Sequence, residues 1–242
     1  MATFVLVHGA FHGAWCFVKL VPALQARGHR AVAIDLPSFG ADTTPIGEVT
    51  LGGNAARIAE TLQAEAEPVV LLGHSMAGVS ISAAAELVPD RVRLLVYLTA
   101  FLPRDGDSVA SISKWPTARP ESGPRAFVKT EDGLGFLPIA ERARERFYNG
   151  CSAEDVAYAA ARLKPQAYAV QREALRLTET RFGKVPRVYL ECLYDNAISL
   201  GLQRDMVAKS PCRAVVSLAT GHSPFFSAPE LLADALDAAL NA

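Results

Sequence analysis

The chain has 242 residues, half of them apolar, with 24 Lys and Arg against 25 Asp and Glu and a formal net charge of −1. A core of this size needs no disulfide framework or structural metal, and a balanced charge without a cationic run excludes the electrostatic footprint of nucleic-acid and anionic-membrane binders. The four cysteines, at 16, 151, 192 and 212, form no C-x-x-C pair and read as reduced thiols of a cytoplasmic protein, and Met1 to His8 has neither the cationic leader nor the length expected of a signal peptide or membrane span.

Short β-branched runs, apolar on nearly every residue, alternate with stretches of helical periodicity, the pattern of parallel strands buried on both faces. Strands are predicted over residues 3–8, 31–36, 68–73, 94–99, 187–193 and 213–218. Six such strands with helical crossovers make an α/β fold, a doubly wound, mainly parallel six-stranded sheet. After the first strand, Trp15, Val18, Val21 and Leu24 share one helical face and Gly28 stands where an αL cap belongs, with Pro22 interrupting the early turns. Thr50 can cap the next helix, turning Leu51, Ile58 and Leu62 to the sheet. The Ala-rich stretch 79–87 can approach the sheet closely and stops before Pro89.

The rhythm breaks between Pro103 and Pro186, where no strand is evident and Pro, Arg, Glu and Ser become frequent. This reads as a helical lid, residues 104–185, inserted into a core of residues 1–103 and 186–242. Helices are expected over 138–148 and 152–163, the second opened by Ser152-x-x-Asp155, with 103–123 irregular. The last helix is expected to open at Ser227, with Pro229 in its first turn and Leu232, Leu236 and Leu240 as its buried stripe.

Three segments carry chemistry. Gly73-His74-Ser75-Met76-Ala77-Gly78 joins a predicted strand to a small-residue helix, the context in which a serine is presented above the sheet on a sharp, strained turn. Gly73 and Ala77 supply the small neighbours such a turn demands. A serine hydroxyl needs a base, and of the five histidines His222 lies beyond the last predicted strand, on the sheet's carboxyl edge. His74 is expected to pack beside its strand, His8 and His12 to hydrogen-bond backbone, and His29 to lie on the surface. Asp195, in the turn after the fifth strand, is the carboxylate expected to hold the imidazole; Asp105 and Asp107 are rivals, and Glu191 should stay along its strand. The order Ser75, Asp195, His222 is that of the α/β-hydrolase triad. The oxyanion donors are expected to be the backbone N–H groups of Met76 and of Ala10, in the loop after the first strand. Gly9, Phe11, Phe101, Trp115 and Tyr148 are expected to bind substrate, with Phe136 also near, in an apolar pocket.

With these motifs in place the sequence resembles the α/β-hydrolase superfamily, and within it the group of plant methylesterases and α-hydroxynitrile lyases. Residues 5–15 resemble that group's opening signature, 33–37 its second-strand motif and 73–78 its elbow, and 189–195 with Gly221-His222 complete the likeness. The resemblance implies a cofactor-free enzyme acting on small-molecule esters or cyanohydrins. The related lyases use a threonine and a lysine where this chain has Gly9 and Ser223, which favours a serine esterase. Cyanohydrin cleavage, and a ligand receptor on a hydrolase fold, remain the alternatives, and a homodimer through the lid or an edge strand is compatible with the sequence.

Overall fold

The computed structural model describes residues 1–118 and 126–240. The chain opens with β1 (Thr3–Val7), a 3₁₀ turn over Ala14–Phe17 and α1 (Leu20–Ala26), then β2 (Arg30–Ile34), α2 (Leu51–Ala64), β3 (Val69–His74), α3 (Ala77–Leu87) and β4 (Val92–Leu98). After the insertion come β8 (Arg187–Cys192), α8 (Leu200–Lys209), β9 (Ala214–Leu218), α9 (Pro224–Ser227) and α10 (Pro229–Ala239). The insertion itself contributes α4 (Val109–Ile112), β5 (Phe127–Lys129), β6 (Gly135–Pro138), α5 (Ala140–Phe147), α6 (Ala153–Ala160), β7 (Gln166–Ala167) and α7 (Tyr168–Arg172).

Among the described residues six strands form the main sheet in the order β2-β1-β3-β4-β8-β9, and every adjacent pair is parallel. All six are those predicted, shifted by one or two residues. Full burial holds for the central strands: β3 is buried throughout and β4 at every residue but Arg93. The edge strand β9 alternates instead, leaving Val215 exposed, because only one neighbour and one layer of helix cover it. Two hydrophobic clusters flank the sheet, one around Val5, Leu71 and Ile58 under α2 and α3, the other around Leu6, Leu72 and Leu232 under α1 and α10.

Local expectations fared unevenly. Thr50 caps α2 by accepting from the Gly53 N–H, Ser152 caps α6 at Asp155, and Gly28 takes a positive φ of 77° after α1. The first helix is split, so the predicted stripe fails: Val18 is exposed and Cys16, Phe17, Leu20 and Leu24 are buried. Pro22 sits in the first turn of α1, where its fixed φ and missing N–H are accommodated, and this sets the helix in a new phase. Ser227 ends α9 rather than opening α10, which starts at Pro229 without a side-chain cap, and Leu240 lies past its end. His29 is buried, not on the surface, with Nε2 3.0 Å from Asp237 Oδ1.

The insertion carries the expected helices, and it also contains strands that the sequence pattern hid. β5, β6 and β7 form an antiparallel sheet. Strands of two to four residues are too short for a period-two signal, and Gly135 and Pro138 stand inside β6. Of the region expected to be irregular, residues 108–113 form the capping box and single turn of α4, and 119–123 lie outside the described residues.

Candidate active site

β3 ends at His74 and α3 starts at Ala77, so Ser75 turns the chain sharply with a φ of +56°. A non-glycine residue in this region is strained, and the surroundings hold it there. The Ser75 N–H donates to the Leu98 carbonyl at 3.2 Å, and its own carbonyl accepts from Phe101 N–H at 3.0 Å. The small neighbours are sterically required. A Cβ on Gly73 would stand 2.8 Å from the Ile81 side chain, and one on Gly78 only 2.0 Å from the Phe101 carbonyl oxygen. The closer of these two approaches falls at Gly78, one position after Ala77.

β8 and β9 end beside this turn. Asp195 follows β8, His222 follows β9, and both side chains are fully buried. His222 Nδ1 lies 2.6 Å from Asp195 Oδ2, and His222 Nε2 lies 3.1 Å from Ser75 Oγ. The carboxylate fixes the tautomer with Nδ1 protonated, leaving Nε2 free to accept from the serine. Asp195 is itself held by three other donors: Thr99 Oγ1 to Oδ2 at 2.5 Å, and the Ala197 and Ile198 N–H groups to Oδ1 at 2.5 and 2.8 Å. The rivals are engaged elsewhere. Asp107 pairs with Arg104, Asp105 accepts from the Leu177 N–H, and Glu191 pairs with Arg204 and Ser217.

The loop after β1 brings Ala10 to the same cavity as Ser75 and Met76. Among the described residues neither the Ala10 nor the Met76 N–H donates to a protein acceptor, so both are available to an oxygen bound beside Ser75. The loop is strained at Phe11, φ +69°, whose carbonyl accepts from the Lys164 N–H of the insertion. Asp35, after β2, anchors it from below by accepting from the Ala14 N–H at 2.7 Å.

The cavity over Ser75 has a volume of about 620 Å³. Phe11, Phe101, Trp115 and Phe136 line it as expected, together with Phe127, Phe147, Tyr168 and Ile198, which the sequence reading did not single out. Gly9 and Tyr148 are not part of its wall. Gly9 is pressed against the elbow, where an added Cβ would lie 2.9 Å from both His74 Nδ1 and Ser75 Cβ. Tyr148 points under the insertion and donates its hydroxyl to His12 Nε2 at 2.7 Å, while its neighbour Phe147 takes the cavity position.

Three other imidazoles near the site, those of His74, His8 and His12, are buried and kept neutral. His74 Nε2 donates to the His222 carbonyl at 2.8 Å, tying the elbow to the loop of the base, and burial holds its pKa well below the usual value. Burial likewise pushes His8 from 6.5 down to about 4 and His12 to about 3. The insertion is stitched to both triad loops around the end of α5: Ser223 Oγ donates to the Phe147 carbonyl, Asn149 Nδ2 to Tyr194 and Asn196 Nδ2 to Glu145. Among the described residues no group of three His, Cys, Asp or Glu side chains could hold a metal, and no helix is long and apolar enough to cross a membrane.

The sequence pattern described as the alpha/beta hydrolase family matches residues 4–235. The chain belongs to the alpha/beta hydrolase family. Within the family it is 33% identical to Methylesterase 2 of Arabidopsis thaliana, over 96% of this chain and 94% of that protein. It is also 33% identical to the alpha-hydroxynitrile lyase of Arabidopsis thaliana, over 97% and 95%. The solved structure of an Arabidopsis methylesterase superposes with a TM-score of 0.87 at 27% identity, covering 100% of this chain and 99% of that one. The chain is thus an enzyme of the hydrolase class whose relatives include methylesterases, and a lyase is as near in identity as an esterase. Overall identity therefore does not separate the two chemistries, and residues at the site must.

Proposed function

We propose that this chain is a serine esterase cleaving carboxylic esters of small molecules through an acyl-enzyme, without a cofactor. The observation that carries the reading is the continuous chain from Asp195 through His222 to Ser75, ending beside two undonated backbone N–H groups. Ser75 Oγ attacks the acyl carbon as its proton passes to His222 Nε2, and the tetrahedral oxyanion is held by the Ala10 and Met76 N–H groups. His222 then protonates the leaving alkoxide oxygen. Water, deprotonated by the same nitrogen, attacks the acyl-enzyme and releases the acid, with Asp195 stabilising the imidazolium in both halves.

Two positions favour this over cyanohydrin cleavage. Gly9 leaves no room beside Ser75 for the threonine of the related lyases without displacing His74 or the serine itself. Ser223 is fully buried and bonded to the Phe147 carbonyl, so the place of the lyase lysine holds no cation. The ring-lined cavity supports an apolar, aryl or alkyl ester as substrate. The unpaired cysteines, which burial keeps protonated, with Cys192 pushed up to about 12, support a reducing, cytoplasmic setting.

The test is a series of p-nitrophenyl esters of increasing acyl length with the wild type and Ser75→Ala prepared identically. Hydrolysis abolished in the variant supports the reading. Hydrolysis equal in both overturns it, and cyanide release from mandelonitrile by the wild type in place of ester turnover would assign the lyase reaction instead.

A further inference from the structure

The peptide group that carries the Ala10 N–H has a second end, the Gly9 carbonyl. His8 Nδ1 lies 2.8 Å from that carbonyl oxygen, and His8 Nε2 accepts from the Leu36 N–H at 3.2 Å. Because Nε2 accepts, Nδ1 is the protonated nitrogen and donates to Gly9. The ring is 1% exposed and packs edge-on to Phe39, with ring centroids 5.0 Å apart. The next carbonyl, that of Ala10, accepts from His12 Nδ1 at 2.7 Å, and the Tyr148 hydroxyl on His12 Nε2 fixes that tautomer in the same way. Both peptide groups that meet at the Ala10 Cα are therefore gripped by buried neutral imidazoles.

In a trans peptide C=O and N–H are coplanar and point in opposite directions, and among the described residues there is no cis peptide bond. Holding the Gly9 oxygen toward the buried side thus aims the Ala10 N–H toward Ser75. A hydrogen bond accepted at the carbonyl also polarises the amide and strengthens its N–H as a donor. We propose that His8 is a positioning residue for the oxyanion hole, acting through the Gly9–Ala10 peptide, with His12 as the second jaw of the same clamp. His8 touches no reacting atom; it sets the direction of the group that does. The assignment rests on the esterase reading, and it adds a role for a histidine lying outside the Ser75, His222, Asp195 chain.

Two amides separate the two ends of the ring. Asn at position 8 offers an N–H the same number of bonds from the backbone as Nδ1, so it can serve the Gly9 carbonyl. Gln reaches only as Nε2 does, so it can serve the Leu36 N–H. His8→Gln and His8→Leu are expected to lower kcat for p-nitrophenyl acetate by about 10- to 100-fold with KM within about twofold. His8→Asn is expected to recover kcat to within about fivefold of the wild type. A purely structural histidine would give losses that follow Tm and no preference for Asn. The decisive comparison is between Asn and Gln, so His8→Leu need not fold.

A trifluoromethyl ketone, which adds reversibly to a serine to form a tetrahedral oxyanion, gives a readout independent of turnover. The rise in Tm it produces in the wild type is expected to persist in His8→Asn and to be lost in His8→Gln. Equal kcat in the Asn and Gln variants, or an equal Tm rise in both, or none in the wild type, overturns the proposal. Loss of the ester reading alone would show separately, as turnover unchanged by Ser75→Ala while the ketone still distinguishes Asn from Gln.

Discussion

The carboxyl edge of the sheet and the cavity wall above it are built by opposite means. At the edge the triad and the imidazoles around it are held by directed hydrogen bonds: Asp195 accepts from Thr99, Ala197, Ile198 and His222, and His8, His12 and His74 each donate to a backbone carbonyl. In the wall the contacts run ring to ring, with Phe11 centred 5.7, 5.3 and 5.8 Å from Phe127, Phe136 and Phe147, and Phe136 4.8 Å from Tyr168. Hydrogen bonds weaken steeply with angle and distance, whereas apolar contacts redistribute among neighbours at small cost. The atoms proposed to react are thus fixed by redundancy, and the surface that would choose the substrate is left adaptable.

The comparison can be broken most sharply at Asp195. Asp195→Asn keeps the shape but favours the wrong imidazole tautomer, and ester turnover is expected to fall about 10⁴-fold. Steady-state rates showing less than a tenfold loss would remove Asp195 from the proposed triad. Acid should expose the same dense edge. His8 and His12 titrate near 6.5 when unfolded and near 4 and 3 when folded, so the unfolded state binds more protons below 6.5. Their contribution is complete above pH 6.5 and is lost progressively as pH falls from 6.5 to about 4 for His8 and to about 3 for His12, on the order of 3 kcal/mol for His8 alone. Urea midpoints at pH 7, 5 and 4 check this, and midpoints independent of pH over that range would contradict it.

A smaller effect is expected at Thr99, which is fully buried with a φ of +37° and donates to Asp195. Thr99→Val keeps the volume, removes the donor and should lower kcat about tenfold with KM little changed. If only Tm falls, the hydroxyl has no part in aligning the carboxylate. The wall should respond least. Trp115, with Arg104 5.1 Å and Lys209 4.5 Å from its ring centroid, borders the cavity. Trp115→Ala should raise KM for long-chain esters about two- to fivefold and leave acetate unaffected. An equal change for all chain lengths would show that Trp115 supports the fold and not the acyl chain.

The same contrast governs what could be read from the sequence. Ser75, Asp195 and His222 were legible because each follows a strand whose apolar run is visible, and because a parallel sheet delivers such positions to one edge. Ala10 and Met76 follow from the same rule. Thr99 carries a similar signal, a polar residue at the exit of β4 next to the strand bearing Asp195, but a threonine there also reads as an ordinary strand end. The insertion was legible only as helices. Its sheet is made of fragments of two to four residues, and whether Phe147 or Tyr148 faces the cavity depends on how α5 ends, which periodicity cannot resolve at the last turn. The role of His12 was half visible: its backbone partner was expected, its tyrosine partner 136 positions away was not.

The stitches at the end of α5 divide the insertion for anyone who would redesign this enzyme. Phe147, Asn149 and Glu145 are bonded to the loops that carry His222 and Asp195, so this stretch belongs to the catalytic chassis although it lies in the inserted segment. The turn of α4 and Trp115 make no such bond to either loop among the described residues. A library grafted over 109–115 can therefore vary the substrate face without retuning the reaction, while grafts that reach Thr117, whose carbonyl accepts from Ser199 in the loop after Asp195, or that cross 145–149 change both together.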